Sequence, residues 1–297
     1  MVMKKKILAT LLTACMVATL IVGCGSSSSK SDSSSSDTET ADADTNDSAE
    51  SSDSSSDSAA SEDDLKDSMK GVTLKVGTSG LFGPFSYYDS DGKTLIGYDL
   101  DLIADLQDLL GFEIDGGVQA MDYSALTTSL AEGKLDMGAA ALCATDERKK
   151  VMKFSPIYCD SGLSVMVNSD DDKGIASVDD LAGKTVAVEK GTASHTYAQK
   201  ELGDSTIEVH DTITTAYESL EQGKVDAVIQ DAPGAAFYIK STPGTKLKSV
   251  GEPFFQGQSP YCVAVSKDCE YYDKISAAVQ YLIDNGTTDQ LYDKWCK

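Results

Sequence analysis

The chain has 297 residues with 25 basic and 48 acidic side chains, a net charge of −23 and an apolar fraction of 41%. So much negative charge argues against nucleic acid or an anionic membrane surface as partner, since both reward basic patches. With two histidines, His195 and His210, and no zinc-like cysteine spacing, the sequence offers no metal set, no Ser-His-Asp or Cys-His nucleophile and no phosphate loop, so no cofactor is expected.

In chain order, Lys4 to Lys6 form a positive start, Ile7 to Val22 an apolar run, and Ile21-Val22-Gly23-Cys24 closes it. This reads as a secretory signal, residues 1–24. Its ending resembles a bacterial lipobox, which implies a lipid on Cys24. Leu12-Thr13-Ala14-Cys15 has a similar shape but leaves an apolar core of only about eight residues, near the lower limit, and an uncleaved anchor is the other alternative. Both put the remainder outside the cytoplasmic membrane. Residues 25–70 are mainly Ser, Asp, Thr and Ala, with 13 acidic and 3 basic side chains. Such a segment cannot bury enough apolar surface to order itself and is expected to be a tether with a reach of roughly 35–40 Å.

Residues 71–297 carry a net charge of −16 and alternate strand and helix signals. Thr73 to Gly77 predicts a strand, Asp99 to Leu110 a helix closed by Gly111, Ser124 to Ala131 a helix, and Leu135 to Leu142 a buried strand. Lys184 to Val188 predicts a strand, His195 to Leu202 and Ile213 to Leu220 helices, Val225 to Ile229 a strand and Ala232 to Ile239 a helix. Alternation of this kind predicts an α/β fold with mainly parallel sheet. Five cysteines fall here, and Cys269 and Cys296 flank a predicted helical hairpin (Tyr272–Asn285, then Thr287–Trp295) whose open end would join them. Five is odd, so at least one thiol stays free or pairs between chains.

Arg148 stands just past the buried strand at the start of a helical turn, placed to grip a carboxylate through two parallel charge-assisted bonds. Its Lys149, Lys150 and Lys153 neighbours also fit a plain surface cluster. One internal echo bears on the choice: Leu130-Ala131-Glu132-Gly133-Lys134-Leu135-Asp136 matches Leu220-Glu221-Gln222-Gly223-Lys224-Val225-Asp226. Followed forward, the first copy leads to Arg148 and the second to Gln230-Asp231. A cation in one lobe and an anion in another complement a zwitterion, and ligands of open α/β sheets bind beyond the strand ends.

Gly97-Tyr98-Asp99-Leu100-Asp101-Leu102, Pro84-Phe85-Ser86-Tyr87, the Thr145–Tyr158 run, Gly191-Thr192-Ala193-Ser194, Asp226 to Pro233 and Asn285-Gly286-Thr287 with Lys294-Trp295 occur in order across nearly all of 71–297. Together they resemble bacterial extracellular solute-binding proteins of polar amino acid ABC importers, with the look of glutamine-binding members. The resemblance implies a two-lobe, type II periplasmic-binding fold: lobe 1 is 71–160 plus 260–297, lobe 2 is 161–259, and hinges fall near Tyr158–Gly162 and Phe255–Tyr261. It implies that Arg148 takes the ligand's α-carboxylate, with Thr192 and the amides of Gly191 to Ala193, that Asp231 takes the α-ammonium, and that Phe82 and Tyr123 flank the side chain. Cys143, Ala141 and Gln230 complete the expected set, and they depart from the family: Cys143 replaces a hydroxyl, Ala141 a Gly or Ser, and Gln230 and Glu189 a His and a Lys. Ser79 stands where binders of basic amino acids have an acid. Glu189 could face a cationic group or pair with Lys190 or Lys184.

The expected function is a lipid-anchored, monomeric, amino-acid-binding subunit serving an ABC permease and its ATPase subunits, without enzymatic activity. The rivals are a periplasmic cyclohexadienyl dehydratase-like enzyme with Glu189 as its acid or base, and a sensory subunit read by a receptor.

Overall fold

The structure, a computed structural model, describes residues 60–297. The signal segment with Cys24 and residues 25–59 of the expected tether lie outside the described residues. Residues 60–70, expected to belong to the tether, instead form the short Glu62–Leu65 helix and bury Leu65 and Met69 against the Tyr98–Leu110 helix, because these two apolar side chains give the segment a core to join. Two five-stranded sheets carry the fold. The first is ordered Gln119–Ala120, Val76–Thr78, Met137–Cys143, Tyr261–Ser266, Met152–Cys159; the second Thr206–His210, Thr185–Glu189, Ala227–Asp231, Leu163–Asn168, Leu247–Phe254. The central strands Met137–Cys143 and Ala227–Asp231 are buried along their whole length because helices cover both faces.

Each sheet is half parallel, not mainly parallel as the alternation suggests. In both, the first three strands pair in parallel, the fourth runs against its neighbours on either side, and the fifth again points the same way as the first three. The reason is topological. The chain passes between the sheets twice, after Cys159 and after Phe254, and it enters each sheet from the end where the parallel strands finish.

The internal echo is a structural repeat. Gly133 and Gly223 both adopt left-handed φ, +68° and +67°, which only glycine holds without strain. Lys134 N donates to Ser129 O at 2.8 Å, and Lys224 N to Ser219 O at 2.9 Å. Asp136 Oδ2 accepts from Lys75 N at 2.7 Å, and Asp226 Oδ2 from Thr185 N at 2.8 Å. Each aspartate thereby pins the adjacent parallel strand. The two sheets are copies of one unit, and both central strands end toward the same cleft.

One buried cluster fixes the crossing after Cys159. The Tyr98–Leu110 helix buries Tyr98, Leu102, Leu106 and Leu110 at four-residue spacing, and Asp99 points into the core. Asp99 accepts from the Tyr158 hydroxyl and, at 2.9 Å, from Ala141 N. That second bond holds Ala141 at φ +49°, a left-handed conformation unusual inside a strand. The Tyr98 hydroxyl donates to Thr288 O at 3.1 Å, linking the closing helix to the same point.

Cys269 and Cys296 are not joined; all five described cysteines past the tether are free thiols. The hairpin arms differ in length, 13 residues in Tyr272–Asp284 against 9 in Thr287–Trp295, or about 20 Å against about 14 Å. Cys269 therefore sits near Asp136 and Lys153, and Cys296 near Cys159 and Asp99.

Asp99→Ala should lower stability by about 2–4 kcal/mol, because it strands a buried hydroxyl and a buried amide. Asp99→Asn, which can accept from Ala141 N and donate to Tyr158, should cost clearly less. Urea unfolding of both variants checks this, and an alanine no worse than asparagine would contradict it.

Candidate functional site

The strand ends and the helix starts beyond them enclose a cavity of about 20 Å³, lined by Phe82, Tyr123, Ala140, Ala141, Cys143, Glu189, Thr192, Ala193, Ser194, Ile213, Gln230 and Asp231. That is room for about one water, so a larger ligand requires its walls to part. Eight of the nine residues expected to hold ligand line it. The ninth, Arg148, sits directly behind. A larger open groove of about 570 Å³ runs past Pro84, Asp160, Pro233 and Trp295 on another face and contains none of the expected residues.

Arg148 lies on the short Asp146–Lys149 helix, whose Thr145 cap accepts from Arg148 N at 3.3 Å. Its stem is partly exposed but its guanidinium is enclosed. One amino group donates to Cys143 O at 2.7 Å and the other to Gly191 O at 2.6 Å, and the group lies 5.3 Å from the centre of the Tyr123 ring. The bond to Gly191 runs from one sheet's unit to the other's. Two donor groups are thus on carbonyls, and the guanidinium also meets Tyr123, which leaves part of its five-donor fork for a ligand.

Asp231 ends the Ala227–Asp231 strand and starts the Ala232–Ser241 helix without capping it. It is 9% exposed, and its Oδ1 is buried with no hydrogen-bond partner. Burial pushes its carboxyl up to about 6, while Tyr261 and Arg148 hold it back. Gln230 beside it is 5% exposed, and its Oε1 is likewise unpartnered.

Thr192 caps the Ala193–Glu201 helix. Its Oγ1 accepts from His195 N at 3.2 Å and donates to Glu189 O at 2.8 Å, leaving the first-turn amides of Ala193 and Ser194 without intrahelical acceptors. Gly191 N is committed to His195 Nδ1 at 3.1 Å, so it does not join them as expected. The Cys143 thiol lies 3.6 Å from Ser259 O and 3.8 Å from Ala141 O, and burial raises its proton affinity well above the usual range. It faces the cavity as a neutral, weak donor. Phe82 stacks on Phe85 with centroids 5.6 Å apart, which leaves one ring edge on the cavity.

Two close approaches seam the cleft. A Cβ on Gly83 would lie 2.2 Å from the Phe237 ring, and one on Gly234 would lie 2.3 Å from the Phe82 ring. Each side presents a glycine to the other's phenylalanine.

Four lining residues were not in the expected ligand set: Ala140, Glu189, Ser194 and Ile213. Ser194 stands in the Gly191–Ser194 run and could have been read from it. Ile213 follows a Thr212 cap, a signal that places a helix start but not what it faces. Glu189, left open by the sequence, is 8% exposed and lines the cavity; it pairs with neither Lys190 nor Lys184, which reach Asp211 and Lys173 O. Burial first, then Asp231, pushes its carboxyl up to about 8. Ser79 does not line the cavity; its hydroxyl accepts from Leu81 N at 3.3 Å.

Two similar α/β units whose strand ends close over a charged polar cleft define a two-lobe solute-binding protein. The chain belongs to the bacterial extracellular solute-binding proteins, family 3, whose profile matches residues 74–297. It is 31% identical over 233 residues to the arginine-binding extracellular protein ArtP of Bacillus subtilis, covering 75% of this chain and 85% of that one. It is 30% identical over 224 residues to the L-cystine-binding protein TcyJ of Escherichia coli K12, covering 75% and 82%. Among solved structures, an ancestral arginine-binding protein bound to glutamine aligns with TM-score 0.69 at 36% identity, covering 75% of this chain and 97% of that one. These relatives are binding proteins, and the chain is a binding protein of the ABC importer type, not an enzyme.

Three buried carboxyls set an expected pH dependence. Unfolded, Asp99 and Asp231 lose their protons near 3.8 and Glu189 near 4.5; folded, burial raises them to about 7, 6 and 8. The folded state therefore holds more protons between these values, and its stability falls as pH rises from about 4 to 8. Thermal unfolding without added ligand should show the melting temperature dropping from pH 5 to pH 8. A flat or rising profile would contradict the burial of these groups.

Proposed function

We propose that the chain is the lipid-anchored substrate-binding subunit of an amino-acid importer, capturing its ligand between two closing lobes and delivering it to the membrane permease. The supporting observation is that Arg148 from one unit, behind the cavity wall and bonded to Gly191 of the other unit, and Asp231 from the other, on the cavity with a buried oxygen free to accept, bring opposite charges to one place. Arg148 and the Ala193 and Ser194 amides take the α-carboxylate, an anion at a helix start. Asp231 takes the α-ammonium as a charge-assisted acceptor. Phe82 and Tyr123 cover the side chain.

In this reading, 71–160 with 260–297 and 161–259 are the two lobes, and the crossings at Tyr158–Gly162 and Phe255–Tyr261 are the hinges. Ligand bridging both lobes binds the closed form better and shifts the population toward it. The glycine–phenylalanine seam supports the closed form's tight fit. Cys24 carries the lipid, the tether spaces the lobes from the membrane, and the monomer docks on a permease driven by ATPase subunits. The relatives named for arginine and cystine support an amino acid as ligand.

Arg148→Ala and Asp231→Ala should each weaken amino-acid binding by about 2–5 kcal/mol, because each leaves a desolvated ligand charge unpaired. Isothermal calorimetry reads this directly. Unchanged affinity in both variants would remove the site assignment.

A further inference from the structure

The assignment of Arg148 and Asp231 accounts for the ligand's main-chain end; the following inference rests on it and concerns the side-chain end. Glu189 closes the Thr185–Glu189 strand. The register pairs Ala187 with Val228, so two residues on Glu189 stands level with Gln230 and one step from Asp231, on strands about 4.8 Å apart. Two carboxylates therefore share one desolvated space with a single guanidinium behind it.

The nearby basic side chains are engaged elsewhere. Lys190 lies 3.8 Å from Asp211, Lys184 Nζ donates to Lys173 O at 2.9 Å, and His210 Nε2 lies 3.0 Å from Glu208. Arg148 is held by the carbonyls of Cys143 and Gly191. One protein donor does meet the Glu189 carboxyl, the Ile213 N–H at the start of the Ile213–Glu221 helix. It occupies one of about four acceptor positions. That helix already has its own cap in Thr212, whose Oγ1 accepts from Thr215 N at 3.4 Å, so capping does not explain a buried glutamate here.

The charges then leave a remainder. A zwitterionic backbone pairs once with Arg148 and once with Asp231, and Glu189 is left over. Beside it stands the unpartnered Oε1 of Gln230, so this wall of the cavity is rich in acceptors. We propose that Glu189 and Gln230 form a cation subsite that selects an amino acid with a positively charged, multi-donor side chain. A guanidinium suits it best, since its fork of donors matches a carboxylate and a second acceptor together, while its aliphatic stem crosses Phe82, Tyr123 and Ile213. Without ligand, burial keeps a proton on the Glu189 carboxyl at neutral pH; a cationic side chain favours its ionised form and pairs with it.

Calorimetry on the full chain with L-arginine, L-lysine and L-glutamine tests this, followed by Glu189→Gln. The amide keeps an acceptor for Ile213 N–H and removes the charge. Arginine should bind the parent at least about tenfold tighter than glutamine. The variant should lose at least about tenfold for arginine while its affinity for glutamine holds or rises. Glutamine binding as tightly as arginine to the parent, or an unchanged arginine affinity in a folded Glu189→Gln, would overturn the subsite and leave the amino-acid reading standing. Should the variant fail to fold by circular dichroism, the parent's ranking of the three ligands decides alone. A parent that binds none of the twenty amino acids would remove the underlying reading, and the subsite with it.

Discussion

A buried carboxylate with an unpartnered oxygen is costly to hold, and Asp231 is one. Native interiors satisfy nearly all such atoms, because desolvation without a hydrogen bond costs a few kcal/mol. Here the cost is met partly by Arg148 and Tyr261 and partly by a raised proton affinity. The rest of the molecule is organised around keeping that group, and Glu189 beside it, at the carboxyl ends of two neighbouring buried strands. Strand ends are where an α/β unit can offer side chains and helix-start amides to the same point.

Repetition of the unit makes the cleft two-sided. The same glycine turn, the same hydrogen bond from a lysine N–H to a serine carbonyl and the same strand-pinning aspartate occur in both halves, yet the residues they deliver have opposite charge. One copy leads to the short Arg148 helix, the other to Gln230-Asp231. The antiparallel strands that upset the simple parallel expectation are the ones that carry the chain between the halves. The Asp99–Tyr158 bond anchors the first of these crossings to the core of one half, and Tyr98 ties the closing helix to the same point. A rigid anchor on one side of a crossing concentrates any bending in the few residues beyond it.

Much of this was legible in the sequence because it depends on local signals. Helix starts and stops followed caps and glycines to within a residue or two, and Thr287–Trp295 fell where expected. The Gly133 and Gly223 turns announced the repeat. Eight of nine anticipated residues came together because motifs at strand ends converge by topology. What was not legible depends on distance in space. Whether Glu189 would meet a lysine or stay buried was decided by where Lys190 and Lys184 turned, which no spacing encodes. The proposed Cys269–Cys296 pairing failed on unequal helix lengths. Asp99 read as the start of a helix and part of the Gly97–Leu102 motif; its burial, and the left-handed Ala141 it holds, emerge only from packing.

The central claim is that one amino acid lies between Arg148 and Asp231. A crystal structure of the protein with the amino acid that raises its melting temperature most tests it directly. The account predicts the α-ammonium within about 3 Å of Asp231 Oδ1 and the α-carboxylate on Arg148 and the Ala193 amide. A ligand seated instead in the groove by Pro84 and Trp295, or in the cleft with its charges reversed, would contradict it.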